Sequence, residues 1–158
     1  MSRVFHISFD GACEPVNPGG VASWGYTVIE SGVEIASAGG IVGEGSDMTN
    51  NVAEYSGLIS ALEAVAPLVG EGDRVVIRGD SQLVIRQIRG EYAVKSKRIG
   101  PLHSRLKQLI GELSRRGIEI EIRWIPREEN MRANDLARRA YADYVSHKTG
   151  VGQSKSVV

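Results

Sequence analysis

Four carboxylates stand where the demands of a solvated surface do not account for them: Asp10, Glu54, Asp80 and Asp135. Glu54 is the sharpest case. With residues 50–66 as a helix at about 100° per residue, Leu58 lies about 40° from Glu54, Val65 about 20° and Leu62 about 80°, while Glu63 lies about 180° away. Glu54 thus falls inside the apolar stripe, where an ionised carboxylate costs free energy unless a cation or a set of donors compensates. The helix dipole favours an acid near the N-terminus but does not choose its face. Asp10 ends an alternating segment ahead of Gly11; the pair could be a turn, but the loop expected after it, Gly11–Gly20, is too long for a two-residue hairpin. Asp80 follows Gly79 and opens a helix, so a capping role and a ligand role fit its spacing equally. Asp135 lies at the edge of a stripe made by Leu136, Ala140 and Tyr144 and is weak by itself. Four converging carboxylates without histidine or cysteine repel one another unless hard cations join them. Such an oxygen-only set selects Mg²⁺ or Mn²⁺ over zinc. Two such ions roughly 4 Å apart would suit phosphoryl transfer. A structural carboxylate cluster is the competing reading of these four residues taken alone.

The elements that must position them follow from periodicity. Val4–Asp10 alternates, with Phe5, Ile7 and Phe9 on one face, and predicts a strand. Strands are expected near Ala22–Glu30 and Val33–Val42, joined by a tight turn at Ser31-Gly32, giving an antiparallel meander. The period then changes. Helices are expected at Asn50–Ala66, Ser81–Ile88, Ile99–Arg116 and Arg132–Ser146, and strands at Arg74–Arg78 and Ile118–Ile125. The order βββαβααβα implies an α/β (α+β) mixed sheet with helices packed on its faces. Asp10 and Asp80 then end strands while Glu54 and Asp135 lie in helices on that sheet, so all four could meet at one edge. Residues 1–148 read as a single domain and residues 149–158 as a loose Gly/Ser/Lys-bearing tail.

Composition narrows the class. The 158 residues suit one domain; 42% are hydrophobic and 24% charged, with no apolar run long enough to span a bilayer. The start lacks a secretory signal, and the single cysteine, Cys13, is compatible with the cytoplasm. Net charge is zero, with 19 basic and 19 acidic residues, which does not by itself point to a polyanion. The distribution is more informative: Arg86, Arg89, Lys95, Lys97, Arg98, Arg105 and Lys107 stand with only Glu91 within one stretch. A solvated helix face is the bland reading, and a phosphate-backbone contact the functional one.

Four motifs carry a family resemblance. They are Asp10-Gly11-Ala12-Cys13 with Asn17-Pro18-Gly19-Gly20; Thr49-Asn50-Asn51-Val52-Ala53-Glu54; Gly79-Asp80-Ser81-Gln82-Leu83-Val84; and Asn134-Asp135-Leu136-Ala137. In this order and spacing the chain, from about Val4 to Val145, resembles ribonuclease H type 1. The stretches 51–59, 90–98 and 126–130 look most like the archaeal-type branch. The resemblance implies a five-stranded mixed sheet with helices on both faces. It also implies hydrolysis of the RNA strand of RNA/DNA hybrids by a two-metal mechanism with Mg²⁺ or Mn²⁺, leaving 5′-phosphate and 3′-hydroxyl ends. Asp10 would bridge the metals, Asp135 would help hold the one activating water, and Glu54 and Asp80 the one facing the leaving oxygen. Substrate contacts would come from Cys13, Asn17, Thr49, Asn50, Asn51 and Gln82, with Lys95, Lys97 and Arg98 on the DNA strand. Thr49 and Asn50 also precede a helix, so capping could explain one of them. A monomer is expected.

The chain departs from the family pattern twice. Of its three histidines, His6, His103 and His147, none lies in the loop between Trp124 and Asp135, where many members carry one. A single loop, Gly90–Arg98, stands where some members have a separate basic helix. Trp24 and Trp124 are expected in the core, and Cys13 reads as a small residue near the site rather than a reactive thiol. Activity on RNA duplex as well as hybrid is the first alternative. A binding module that kept the fold without catalysis is the second, and acidic groups facing phosphates argue against it. An integrase- or resolvase-like nuclease would lack the Thr-Asn-Asn and Gly-Asp-Ser-Gln motifs.

Overall fold

Alternation in the first forty residues becomes three antiparallel strands, β1 (Val4–Glu14), β2 (Val21–Glu30) and β3 (Val33–Glu44). The turn between β2 and β3 places Ser31 at φ +53° and Gly32 at φ +78°, the doubly left-handed geometry that matches strand twist in a two-residue hairpin. Then follow α1 (Asn50–Val65), β4 (Arg74–Gly79), α2 (Gln82–Ile88), α3 (Ile99–Arg115), β5 (Glu119–Trp124), a 3₁₀ turn at Arg127–Glu129 and α4 (Met131–Val157). The computed structural model describes residues 2–157, with side chains as far as Lys148. The backbone of α4 runs on to Val157, past the helix end expected at Ser146 and through the stretch expected as a loose tail over 149–158; side chains beyond Lys148 lie outside the described residues.

The five strands form one mixed sheet in the order β3-β2-β1-β4-β5. The meander pairs antiparallel, while β4 runs parallel to both β1 and β5. Phe5, Ile7 and Phe9 of β1 face a core shared with Leu58, Leu62 and Val65 of α1 and with Leu106, Leu109 and Leu113 of α3. Each fully buried leucine of this kind contributes about 1.5–3 kcal/mol. The opposite face takes α4. A Cβ on Gly25 would lie 2.3 Å from the Ala133 carbonyl oxygen, and one on Gly39 would lie 2.5 Å from that of Leu136. Glycine there lets helix backbone rest directly on strand backbone. α2 and α3 are joined by the loop at 89–98 with no helix between them, as the single-loop reading expects.

One boundary differs in a way that matters. β1 does not stop at Asp10; it continues to Glu14, and Asp10 pairs with Gly25 in mid-strand. What ends near Asp10 is the pairing with β4, whose last register pair is Ser8 with Arg78. The sheet parts there because one neighbour of β1 continues while the other turns into α2. The loop after β1 is correspondingly shorter than Gly11–Gly20.

Candidate active site

The parting of β1 and β4 is where the carboxylates gather. Asp10 projects toward the α4 face, where its Oδ2 accepts a 2.8 Å hydrogen bond from Asn134 Nδ2. Glu54 arrives from α1 on the other face. Its backbone passes so close to β1 that a Cβ on Gly11 would stand 2.3 Å from Glu54 N, so the glycine of the Asp-Gly pair makes room for the helix. Asp80 follows β4. Its capping alternative is taken by Ser81, whose hydroxyl accepts from Val84 N at 3.2 Å and which is the N-cap of α2. Ligand oxygens of Asp10, Glu54 and Asp80 all lie within 4.8 Å of one another.

The electrostatics of this cluster are unfavourable without a cation. Glu54 is 4% exposed, and its Oε2 is buried with no hydrogen-bond partner. Burial, then the neighbouring Asp10 and Asp80 carboxylates, push its carboxyl well above the usual range. Asp80 is raised by burial and by Asp10, and is eased by a hydrogen bond from Asn130. A buried carboxylate oxygen without a donor is what a hard cation would satisfy. The three residues fit Mg²⁺ or Mn²⁺.

Asp135 stands apart from this cluster. Its side chain is 49% exposed and pairs with Arg139 at 3.1 Å, an i,i+4 bridge on the helix surface. The residue that α4 turns to the site is its neighbour Asn134, buried and bonded to Asp10. One turn earlier, Asn130 donates to the Phe9 carbonyl at 2.9 Å and to Asp80 Oδ2 at 3.3 Å. It bridges the gap that opens where β4 leaves β1. The two stand in an Asn-x₃-Asn spacing, but that spacing alone does not say which face of α4 turns inward. Trp124 is a second correction: it is 40% exposed rather than core, and its indole N–H donates to the Asp80 carbonyl at 3.0 Å. It ends β5 at the rim of the sheet, so the ring is left outside the core. Trp24 does pack against the core.

A cavity of about 540 Å³ opens over the cluster, lined by Cys13, Asn17 and Asn50 as well as by Arg127 and Asn134. Asn17 Nδ2 donates to Asn50 Oδ1 at 2.9 Å, and Asn50 N donates to Asn17 Oδ1 at 3.2 Å. These bonds tie the β1–β2 loop to the start of α1. Thr49 is the N-cap of α1, its hydroxyl accepting from Val52 N, so its capping reading holds. The Cys13 thiol is buried and donates to the Val16 carbonyl at 3.2 Å. Asn51 is half-buried in the first turn of α1, and exposed Gln82 accepts from Arg86 at 3.3 Å. Lys95, Lys97 and Arg98 are exposed and do not line the cavity; Arg98 reaches the Ser46 carbonyl at 3.2 Å, beside the start of α1. His103 lies edge-on to Tyr55, with its Nε2 3.3 Å from the Gln87 carbonyl, and is a packing residue. Among the described residues no helix is long and apolar enough to cross a membrane.

A mixed sheet parted around three carboxylates, Asp10 and Glu54 buried and Asp80 half-buried, with helices on both faces, defines a protein of the ribonuclease H-like class. The family model described as reverse transcriptase-like matches residues 8–140. Ribonuclease HI of Halobacterium salinarum is 37% identical over 143 residues, covering 87% of this chain and 64% of that protein. The N-terminal RNase H domain of Rv2228c from Mycobacterium tuberculosis superposes with a TM-score of 0.79 at 30% identity, covering 93% of this chain and 99% of that one. LC11-RNase H1, in a crystal structure with an RNA/DNA hybrid, gives 0.75 at 31% identity over 90% and 99% of the two chains. The chain belongs to the ribonuclease H type 1 family. It spans under two thirds of the Halobacterium relative and 24% of the full bifunctional protein Rv2228c.

Proposed function

We propose that this chain is an endoribonuclease that hydrolyses the RNA strand of RNA/DNA hybrids with divalent cations, leaving 5′-phosphate and 3′-hydroxyl ends. The observation that carries the reading is the buried, unpartnered Glu54 Oε2 facing two further carboxylates at a parted sheet. Family membership supports it, as does the hybrid bound by a relative of 31% identity. Asp10, Glu54 and Asp80 would hold the cations, two Mg²⁺ or Mn²⁺ ions in the reading the family favours. Bound there, such ions supply an activated water and charge stabilisation at the leaving oxygen.

The protein's own residues keep the carboxylates in place. Asn134 holds Asp10, while Asn130 and the Trp124 indole hold Asp80 from its side chain and its carbonyl. The mutually bonded Asn17 and Asn50, with Thr49 and Asn51 beside them, present polar groups to a minor groove whose 2′-hydroxyls distinguish RNA from DNA. Gln82, at the start of α2 next to the cavity-lining Ser81, would do the same, and Cys13, which lines the cavity, would add a further contact. Lys95, Lys97 and Arg98 would meet the phosphates of the DNA strand. An RNA duplex offers the same hydroxyls and is the alternative substrate.

The test is cleavage of end-labelled RNA/DNA hybrid, RNA duplex and DNA duplex in Mg²⁺ and in Mn²⁺, by wild type and Asp10→Asn. Cleavage confined to RNA strands and lost in the variant is expected, with the RNA-duplex lane reading the second substrate. An intact hybrid in both metals, still bound by the protein, would make it a binding module instead.

A further inference from the structure

We propose that Asn134, and not Asp135, is the residue α4 contributes to the site: a neutral amide that positions Asp10 and leaves the cluster with three carboxylates instead of four. The inference deepens the nuclease reading and rests on its premise that the cluster holds divalent cations.

Consecutive residues on a helix point about 100° apart, so only one of the two can face Asp10. The choice is fixed by how α4 is seated. Asn130 and Asn134, one turn apart, are both buried and both anchored to β1, at the Phe9 carbonyl and the Asp10 carboxylate respectively. Behind them the helix backbone at Ala133 and Leu136 rests on Gly25 and Gly39, so close that a methyl group would not fit. Rolling α4 enough to bring Asp135 inward would drive that backbone into β2 and β3. Asp135 instead lines a neighbouring hollow of about 770 Å³ together with Arg127, Arg138 and Arg139. Its charge is answered there by Arg139.

The chemistry of an amide suits the place it holds. One N–H fixes Asp10 Oδ2, which a second carboxylate could do only by keeping a proton. The carbonyl end is an uncharged hard-oxygen donor of the kind Ca²⁺ and Mg²⁺ sites accept. An aspartate at 134 would add repulsion when no cation is present and attraction when one is.

The experiment is titration of the full chain with Mn²⁺ alone, following free Mn²⁺ by electron paramagnetic resonance, for wild type, Asp10→Asn, Asn134→Ala, Asn134→Asp and Asp135→Ala. Removing a residue that orients a ligand should weaken affinity ~10-fold or more in Asn134→Ala. The added charge in Asn134→Asp should tighten it by ~10-fold, while its metal-free thermal midpoint falls. Asp135→Ala should stay within ~2-fold of wild type, as loss of an exposed pair implies. Should Asn134→Ala fail to fold, the isosteric aspartate and Asp135→Ala still decide. A loss in Asp135→Ala matching that in Asp10→Asn overturns the proposal, as do Asn134 variants that bind like wild type while Asp10→Asn does not. If Asp10→Asn itself binds Mn²⁺ like wild type, the metal-site premise falls and this inference with it.

Discussion

Burial pushes the Glu54 carboxyl upward, and the carboxylates of Asp10 and Asp80 push it further in the same direction. Its folded value therefore lies well above the unfolded one near 4.5. In the window between them the native state holds a proton that the unfolded chain has released, so metal-free stability falls as pH rises. Between about pH 5 and 7 the metal-free wild type should lose stability that Glu54→Gln retains, leaving the variant about 1–3 kcal/mol more stable at neutral pH. Mn²⁺ at a hundred times its dissociation constant should then restore about 2.7 kcal/mol to wild type and much less to the variant. Urea midpoints with and without Mn²⁺ read all of these; a metal-free Glu54→Gln less stable than wild type at pH 7 would contradict the argument. Glu54 was legible in the sequence because helical arithmetic assigns a face, and a charge on the apolar face demands an explanation. Asn134 was not, because an asparagine beside an aspartate gives no such conflict, and only the seating of α4 decides which of the two faces inward.

At the scale of elements, the meander and the four main helices followed from period and punctuation, and most of their ends fell close to where the residues place them, with β1 and α4 running on past theirs. Where the expectation failed, the missing information was non-local. Asp10 lies in mid-strand because β2 continues alongside it as far as Val21 opposite Glu14, a pairing that no property of residues 4–14 encodes. Trp124 is left exposed because β5 is the outermost strand and ends there. The docking of α4 was equally silent, since it rests on the absence of side chains at Gly25 and Gly39. That absence can be tested. A methyl at position 25 would lie 2.3 Å from the Ala133 carbonyl oxygen and 2.7 Å from Ala137 N. Both are backbone atoms that cannot swing aside. Gly25→Ala should destabilise the protein by about 1–3 kcal/mol through overpacking, read as a lower thermal midpoint. It should also reduce hybrid cleavage more than the stability loss explains, because Asn130 and Asn134 ride on the displaced helix. Unchanged stability would mean that α4 is not seated as tightly as these distances require.

Taken whole, the molecule keeps apart two charge fields that its net charge of zero conceals. The acidic cluster lies at the parting of β1 and β4, and the basic stretch runs from α2 through the 89–98 loop into α3. Arg98 links that loop to the start of α1 by its bond to the Ser46 carbonyl and its approach to Asp47 at 3.9 Å. The basic loop is therefore held on the same side as Thr49 and Asn50, at a distance from the carboxylates. A duplex whose RNA strand entered the cavity would bring its other strand toward Lys95, Lys97 and Arg98. Phosphate contacts release counterions and give binding a steep salt dependence, with a slope near −0.9 per phosphate neutralised on a DNA duplex. Replacing all three residues with alanine should weaken hybrid binding at low salt and reduce the magnitude of that slope by about 2–3. The cleavage rate at saturating hybrid should change little, since none of the three touches the carboxylates. Fluorescence anisotropy of labelled hybrid across a salt series measures the slope, and single-turnover cleavage measures the rate. A slope equal to that of wild type would remove the loop from the binding surface and leave its charge to solubility alone.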